Sequence, residues 1–207
     1  MAKLTKLVIV AVLMVAAIIA ITFLMGGRRG AVEVGKEIGG VPVDEYLEPL
    51  LRNASKSIDV SSPAFTYGSM IPTKYTCDGR DVSIPIHISN VPSNAVSLLV
   101  VMYDPDAPRG TFYHWVLYNV PPNISSIPEA VPKQPTTFVG TQAKNDFGFV
   151  GYGGPCPPKG STHRYFILVL ALDTKLSVEP GSDARKVLEA ARGHVIAYGY
   201  TMGRYGR

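Results

Sequence analysis

Charge is scarce in this 207-residue chain. Asp, Glu, Lys and Arg make up 17% of it, and 20 basic against 16 acidic side chains leave a formal net charge of +4. No basic run stands out, so the electrostatic footprint of a nucleic-acid binder is missing and that class of partner is excluded. Heptads, a collagen period and internal repeats are absent, and 46% apolar residues are too many for a disordered protein. Neither G-x-S-x-G nor H-E-x-x-H occurs, which removes the usual marks of an α/β-hydrolase and of a zinc protease. The two cysteines, Cys77 and Cys156, are compatible with one disulfide, which suits an oxidising compartment or the interior of a hyperthermophile.

One long apolar run is present. Residues 7–25 (LVIVAVLMVAAIIAITFLM) contain no charge, Gly or Pro, and as a helix they reach roughly 28 Å, about the thickness of a bilayer's hydrocarbon core. The run is longer than the apolar stretch of a secretory signal and ends in Phe23-Leu24-Met25 rather than in small residues. It reads as an uncleaved single-pass anchor over residues 1–25. Lys3 and Lys6 on one flank balance Arg28, Arg29 and Lys36 on the other. Orientation therefore rests on the short N-terminal tail staying in the cytoplasm, which sends the rest of the chain outside. Two sequons, Asn53-Ala54-Ser55 and Asn123-Ile124-Ser125, point the same way.

Residues 26–59 read as a tether, Gly-rich and flexible to residue 41, then carrying a short amphipathic helix on Val43, Tyr46, Leu47, Leu50 and Leu51 that Pro49 weakens. Residues 60–207 hold most of the 20 Gly and 17 Pro, punctuation that forbids a helical bundle and favours short strands. Strands are expected at residues 84–88, 96–103, 113–119, 147–152, 165–172 and 195–201. A helix is expected after the cap Ser182-Asp183, with Ala184, Val187, Leu188 and Ala191 as its stripe and Gly193 as its stop. The predicted fold is mainly β, an antiparallel Greek-key β-sandwich with one or two peripheral helices behind the membrane anchor.

Two segments carry the chemistry. Asp104-Pro105-Asp106-Ala107-Pro108 follows the apolar strand VSLLVVMY, and two carboxylates two apart on extended backbone share a direction. The next strand brings His114 back beside Asp104 if the two form a hairpin. The Gly/Pro loop Gly151–Gly160 then leads into Ser161-Thr162-His163-Arg164-Tyr165, where His163 and Tyr165 share a face. An imidazole held by an aspartate, a tyrosine hydroxyl and glycine amides suit a phosphate or carboxylate.

DPDAP (104–108), YHWVLYNVP (113–121) and GYGGPCPPKGSTHRY (151–165) together resemble the phosphatidylethanolamine-binding protein family, and the bacterial and archaeal Raf-kinase-inhibitor-like branch in particular. Thr76-Cys77-Asp78-Gly79 and the ending Met202-Gly203-Arg204-Tyr205-Gly206 add to the likeness, which covers about residues 60–207. The resemblance implies a Greek-key sandwich with a small anion-binding surface pocket and no chemical reaction, hence no cofactor. It places Asp104, Asp106, Ala107, Pro108, His114, Gly154, Pro155, His163 and Tyr165 in that pocket. There His114 and His163 would supply positive charge, Asp104 and Asp106 would orient them, and Tyr165 with loop amides would complete the anion's hydrogen bonds. Binding is then expected to weaken as pH rises through the histidine range. With Cys77 and Cys156 in loops near the pocket, a bridge between them is expected. Eukaryotic members extend past the position of Arg207 with a pocket-lining helix, so kinase regulation is not carried over. The family's Ser-Pro after the Cys-Asp-Gly segment is interrupted here as Ser83-Ile84-Pro85.

The expected function is thus a membrane-anchored, non-enzymatic domain that binds a small anionic or phosphorylated ligand. An inhibitor-like protein-binding module is the alternative, with Tyr67, Phe112, Phe138 and Phe147 as its loop aromatics. A metal-dependent hydrolase built on Asp104, Asp106, His114 and His163 ranks below both.

Overall fold

A computed structural model describes residues 36–207, and these form one compact body. The apolar run 7–25 and residues 26–35 of the expected tether lie outside the described residues. Among the described residues no helix is long and apolar enough to cross a membrane. In chain order the elements are β1 (Glu37–Ile38), β2 (Val41–Pro42), α1 (Glu48–Leu51), β3 (Ser55–Lys56), β4 (Asp59–Ser61), β5 (Ile86–Ser89), β6 (Ser97–Asp104) and β7 (Phe112–Val120). There follow β8 (Ser126–Ile127), β9 (Thr136–Thr137), β10 (Gly140–Gln142), β11 (Thr162–Leu172), α2 (Ala184–Ala190) and β12 (Val195–Gly206).

The large sheet runs β3-β12-β11-β6-β7-β10-β9, antiparallel except where β3 joins β12, and a three-stranded sheet β4-β5-β8 faces it. Both faces of the large sheet are covered, which is why β6 and β11 read as almost unbroken apolar runs instead of alternating. Leu98, Val100, Met102, Ile167 and Val169 meet Ile86, Ile88 and Ile127 of the small sheet in one core. Leu99, Val101, Phe166, Leu168 and Leu170 pack on the other face against Val187 and Leu188 of α2 and against Val41, Leu47, Leu50 and Leu51.

That second core revises the tether. Residues 36–42 fold as a β1–β2 hairpin, with Gly39 and Gly40 at positive φ in its turn, and Val41 and Leu47 are wholly buried. The folded body therefore begins by Lys36 rather than near residue 60. Helix α1 is a single turn because Pro49, lacking an amide donor, is accommodated only in the first turn. At α2 the expected cap is incomplete, since Asp183 stands at the N-cap without a side-chain cap bond and its carboxylate pairs with Lys144.

The register of β7 positions the site. Met102 pairs with Trp115 but Tyr103 with Tyr113, which leaves His114 as the extra residue of a β-bulge. The core assignments confirm the switch, because Tyr113 faces the helix side and Trp115 the small sheet. A second irregularity falls between the pairs Leu98–Val120 and Val100–Leu117, where Asn119 takes a φ of 54°.

Residues 147–152 are not the expected strand. Asn145 draws the chain into a loop by accepting hydrogen bonds from the amides of Phe147 (3.0 Å) and Phe149 (3.4 Å) while donating to Gly151 O (2.8 Å). Composition suggested a strand, but Phe147 and Phe149 stand partly exposed in the loop.

Candidate functional site

The ends of β6, β7 and β11 converge with the loops after β6 and before β11 on a cavity of about 510 Å³, a size that takes a small molecule. Asp104, Ala107, Pro108, His114 and His163 line it, as the resemblance implied. So do Pro157 and Pro158, which lie within the third motif but were not assigned to the pocket, and Arg109, Thr111, Phe112, Asp146, Phe147, Arg185 and Arg207, which lie outside the pocket motifs. Arg109 and Phe112 are immediate neighbours of those motifs and could have been found by extending them. Arg185 on α2 and Arg207 at the end of β12 carry no local signal, because only the tertiary fold brings them to the site.

His163 sits at the start of β11. Its Nδ1 lies 2.7 Å from Asp104 Oδ2, and its Nε2 lies 3.2 Å from Ser161 Oγ. The other Asp104 oxygen accepts the Asp106 amide at 2.8 Å, so this buried carboxylate is partnered on both sides. Burial raises the Asp104 pKa, and the hydrogen bond from His163 opposes that rise without cancelling it. The pair is structurally expensive to split, since a buried charge stripped of its partner costs on the order of 3–5 kcal/mol.

His114 behaves differently from the cation that was expected. It is buried, its Nδ1 lies 2.7 Å from Gly153 O, and the rings of Phe112, Phe147 and Tyr165 surround it at centroid distances of 5.0, 5.3 and 5.2 Å. Burial drives its pKa down to about 4, against the opposing hydrogen bonds to Gly153 and Gly154. At neutral pH His114 is a neutral imidazole, so it contributes neither positive charge nor a neutral-range pH dependence to binding. A carbonyl, not an aspartate, orients it.

Asp106 is turned away from the cavity. Its carboxylate accepts the Arg164 amide (2.9 Å) and a fork from the Arg164 guanidinium, with contacts of 2.6 and 2.9 Å. Burial pushes its pKa up, but the hydrogen bonds and charge of Arg164 outweigh this and hold it below the ordinary carboxylate range. The two carboxylates do not share a direction, because the chain leaves β6 at Asp104 and turns at Pro105-Asp106. Gly154 and Pro155 also stand behind the cavity wall. The Gly154 amide donates to Asp81 Oδ1 (2.6 Å), and the Pro155 carbonyl accepts from Cys77 N (3.1 Å). A Cβ on Gly154 would lie 2.4 Å from Tyr75 O, so only glycine fits there. Tyr165 is fully buried behind His114, outside the lining, and its hydroxyl has no hydrogen-bond partner among the described residues. Its phenol pKa is raised, by burial first and by the Asp104 charge second.

Cys77 and Cys156 are joined by a disulfide, with Cα atoms 5.4 Å apart. The bridge ties the loop carrying Cys156, Pro157 and Pro158 to the 3-10 turn at Thr73–Tyr75 and so fixes one wall. Arg207 leans on that wall, its Nε 3.0 Å from Asp78 Oδ2 and its Nη1 3.5 Å from Cys156 Sγ. On the opposite side Arg185 forms a two-pronged pair with Asp146, at 2.5 and 3.1 Å. Arg109 is exposed at the mouth and makes no ion pair among the described residues. The cavity therefore presents three guanidiniums, two of them neutralised by aspartates, over a floor of His114, Phe112 and Phe147.

With Asp106 committed to Arg164 and His114 to Gly153, the four side chains considered for a metal site do not converge. No group of three His, Cys, Asp or Glu side chains suited to a metal ion occurs among the described residues.

Comparison with known proteins agrees with this architecture. The family model described as phosphatidylethanolamine-binding protein matches residues 61–206. A UPF0098 protein of Pyrococcus horikoshii is 45% identical over 157 residues, 73% of this chain and 77% of the relative. A UPF0098 protein of Aquifex aeolicus is 43% identical over 152 residues, 72% of this chain and 89% of the relative. Among solved structures, a putative phosphatidylethanolamine-binding protein homolog from Chlamydia trachomatis superposes with a TM-score of 0.67 at 39% identity, covering 74% of this chain and 99% of that one. E. coli YbcL, described as a new member of the mammalian family, superposes with a TM-score of 0.68 at 31% identity, covering 73% and 99%. Matched over most of its length by the family model and by full-length relatives, the chain belongs to the phosphatidylethanolamine-binding protein family.

Proposed function

We propose that this protein binds a small anionic or phosphorylated ligand, of the phospholipid head-group type, in the cavity at the ends of β6, β7 and β11, and releases it unchanged. The observation that carries this reading is Arg109, a guanidinium at the mouth with no paired carboxylate among the described residues, at a cavity that also holds His163 and Arg207. Guanidiniums form paired hydrogen bonds with phosphate oxygens, and Phe112 and Phe147 give an apolar bed for whatever the phosphate is attached to. In the same reading residues 7–25 hold the domain at a membrane and the domain lies on the extracytoplasmic side, with which the Cys77–Cys156 bridge is compatible.

A second reading, capture of a protein partner, draws on Phe147 and Phe149, which stack at 5.9 Å and are 44% and 39% exposed. Calorimetric titration of the full chain in detergent with inorganic phosphate, phosphoethanolamine and a nucleotide separates the two. Saturable binding that His163→Ala largely abolishes supports the anion site. No heat from any of the three, together with inhibition of a protease panel, supports the partner module instead.

A further inference from the structure

The two ends of the large sheet differ in what they offer. The cavity sits where β6 ends and β7 begins, while Asn53 and Asn123 sit at the other end. Asn53 lies in the turn before β3, whose Ser55 pairs with Ala197 near the start of β12, and Asn123 lies in the turn after Val120. The nine residues of β7 separate Phe112 at the cavity from Val120 at the far end, roughly 26 Å at about 3.3 Å per residue.

Both asparagines are exposed and both stand in sequons. Their amides are also free. Asn90 donates to Asp59, Asn119 bonds to Leu176, and Asn145 holds the 145–151 loop, whereas the carboxamides of Asn53 and Asn123 have no partner among the described residues. Asn90, Asn119 and Asn145 lack the sequon. Motif, exposure and an unengaged nucleophile thus coincide at these two positions.

We propose that Asn53 and Asn123 are N-glycosylation sites, an inference that rests on the extracytoplasmic reading. The donor is a lipid-linked oligosaccharide and the catalyst an oligosaccharyltransferase. The asparagine amide nitrogen attacks the anomeric carbon, the N–C bond forms, the C–O bond to the lipid phosphate breaks, and the amide proton passes to a base of the transferase. Asn123 is the better acceptor. Its Ser125 hydroxyl has no partner among the described residues, whereas the Ser55 hydroxyl is bonded to Ile196 O at 3.3 Å and must be freed first. Glycans at this end leave the cavity mouth open.

The test uses the full chain purified from its own cells. Peptide mass spectrometry reads Asn53 and Asn123, while a membrane-impermeant amine reagent applied to intact cells reads the side on which the domain lies. Glycan mass on both peptides, higher occupancy at Asn123, and loss of the Asn123 glycan alone in both Asn123→Gln and Ser125→Ala support the proposal. The doubly substituted Asn53→Gln/Asn123→Gln protein is expected to keep its phosphate affinity. A labelled domain with both asparagines bare overturns the glycosylation proposal while leaving the extracytoplasmic reading intact. An unlabelled domain with bare asparagines overturns both.

Discussion

The middle of the large sheet and its cavity end are built from the same strands by opposite rules. In the middle, Val100, Val101, Leu168 and Val169 are wholly buried and meet apolar neighbours on both faces, so any well-packed aliphatic set would serve. At the cavity end, Asp104, His114 and His163 are buried as well, yet each needs a particular partner: His163 for Asp104, Gly153 O for His114, Ser161 and Asp104 for His163. The apolar middle supplies stability. The polar end consumes some of it to hold charges and neutral donors where a ligand can meet them.

Four experiments probe this contrast. The largest effect is expected from Trp115→Ala, which empties a buried site between the sheets and leaves Gln142 Oε1 without its 2.6 Å donor. A loss of about 3–5 kcal/mol in chemical denaturation is predicted, with phosphate affinity unchanged in the folded fraction.

Acid comes next. Between pH 6.5, the ordinary histidine value, and about 4, the His114 value, the unfolded imidazole takes up a proton that the folded one refuses. Stability therefore falls as the pH drops through that window, by on the order of 3 kcal/mol at most. The denaturation midpoint followed from pH 7 to pH 4 checks this, and His114→Leu should flatten the curve. An unaltered slope in that variant places the acid lability elsewhere.

Arg109→Gln is expected to weaken phosphate binding roughly tenfold, about 1.4 kcal/mol, and to leave the melting temperature alone because the side chain is exposed and unpaired. Asp106→Asn should do the reverse on a smaller scale. The Arg164 fork is partly exposed, so its loss is worth about 1 kcal/mol or less of stability, with no change in phosphate affinity. If Asp106→Asn weakens binding as much as Arg109→Gln, Asp106 belongs to the cavity after all.

The middle of the sheet was legible in the sequence and the cavity end only in part. Strand runs such as 96–103 and 165–172 announce themselves because burial on both faces demands continuous apolar residues. The helix at Ala184–Ala190 was equally plain from its stripe and the glycine after it. What misled was local. A bulge at His114 is invisible in YHWVLYN, Asn145 bends an apolar segment into a loop, and Pro49 confines the stripe from Val43 to Leu51 to one helical turn. Among the site residues, Asp104, Ala107, Pro108, His114 and His163 within the quoted motifs line the cavity, whereas the directions of Asp106 and Tyr165 depend on Arg164 and on burial behind His114. Arg185 and Arg207 arrive from elements distant in sequence, and no local pattern could have placed them.

The most direct test is a crystal structure of the full chain grown in the presence of inorganic phosphate. The account predicts phosphate density inside the cavity, within hydrogen-bond reach of Arg109 and His163, with His114 still held on Gly153 O. An empty cavity at saturating phosphate, or an ion bound only at the groove of Asp59, His87 and Ser126 on the small sheet, would contradict it.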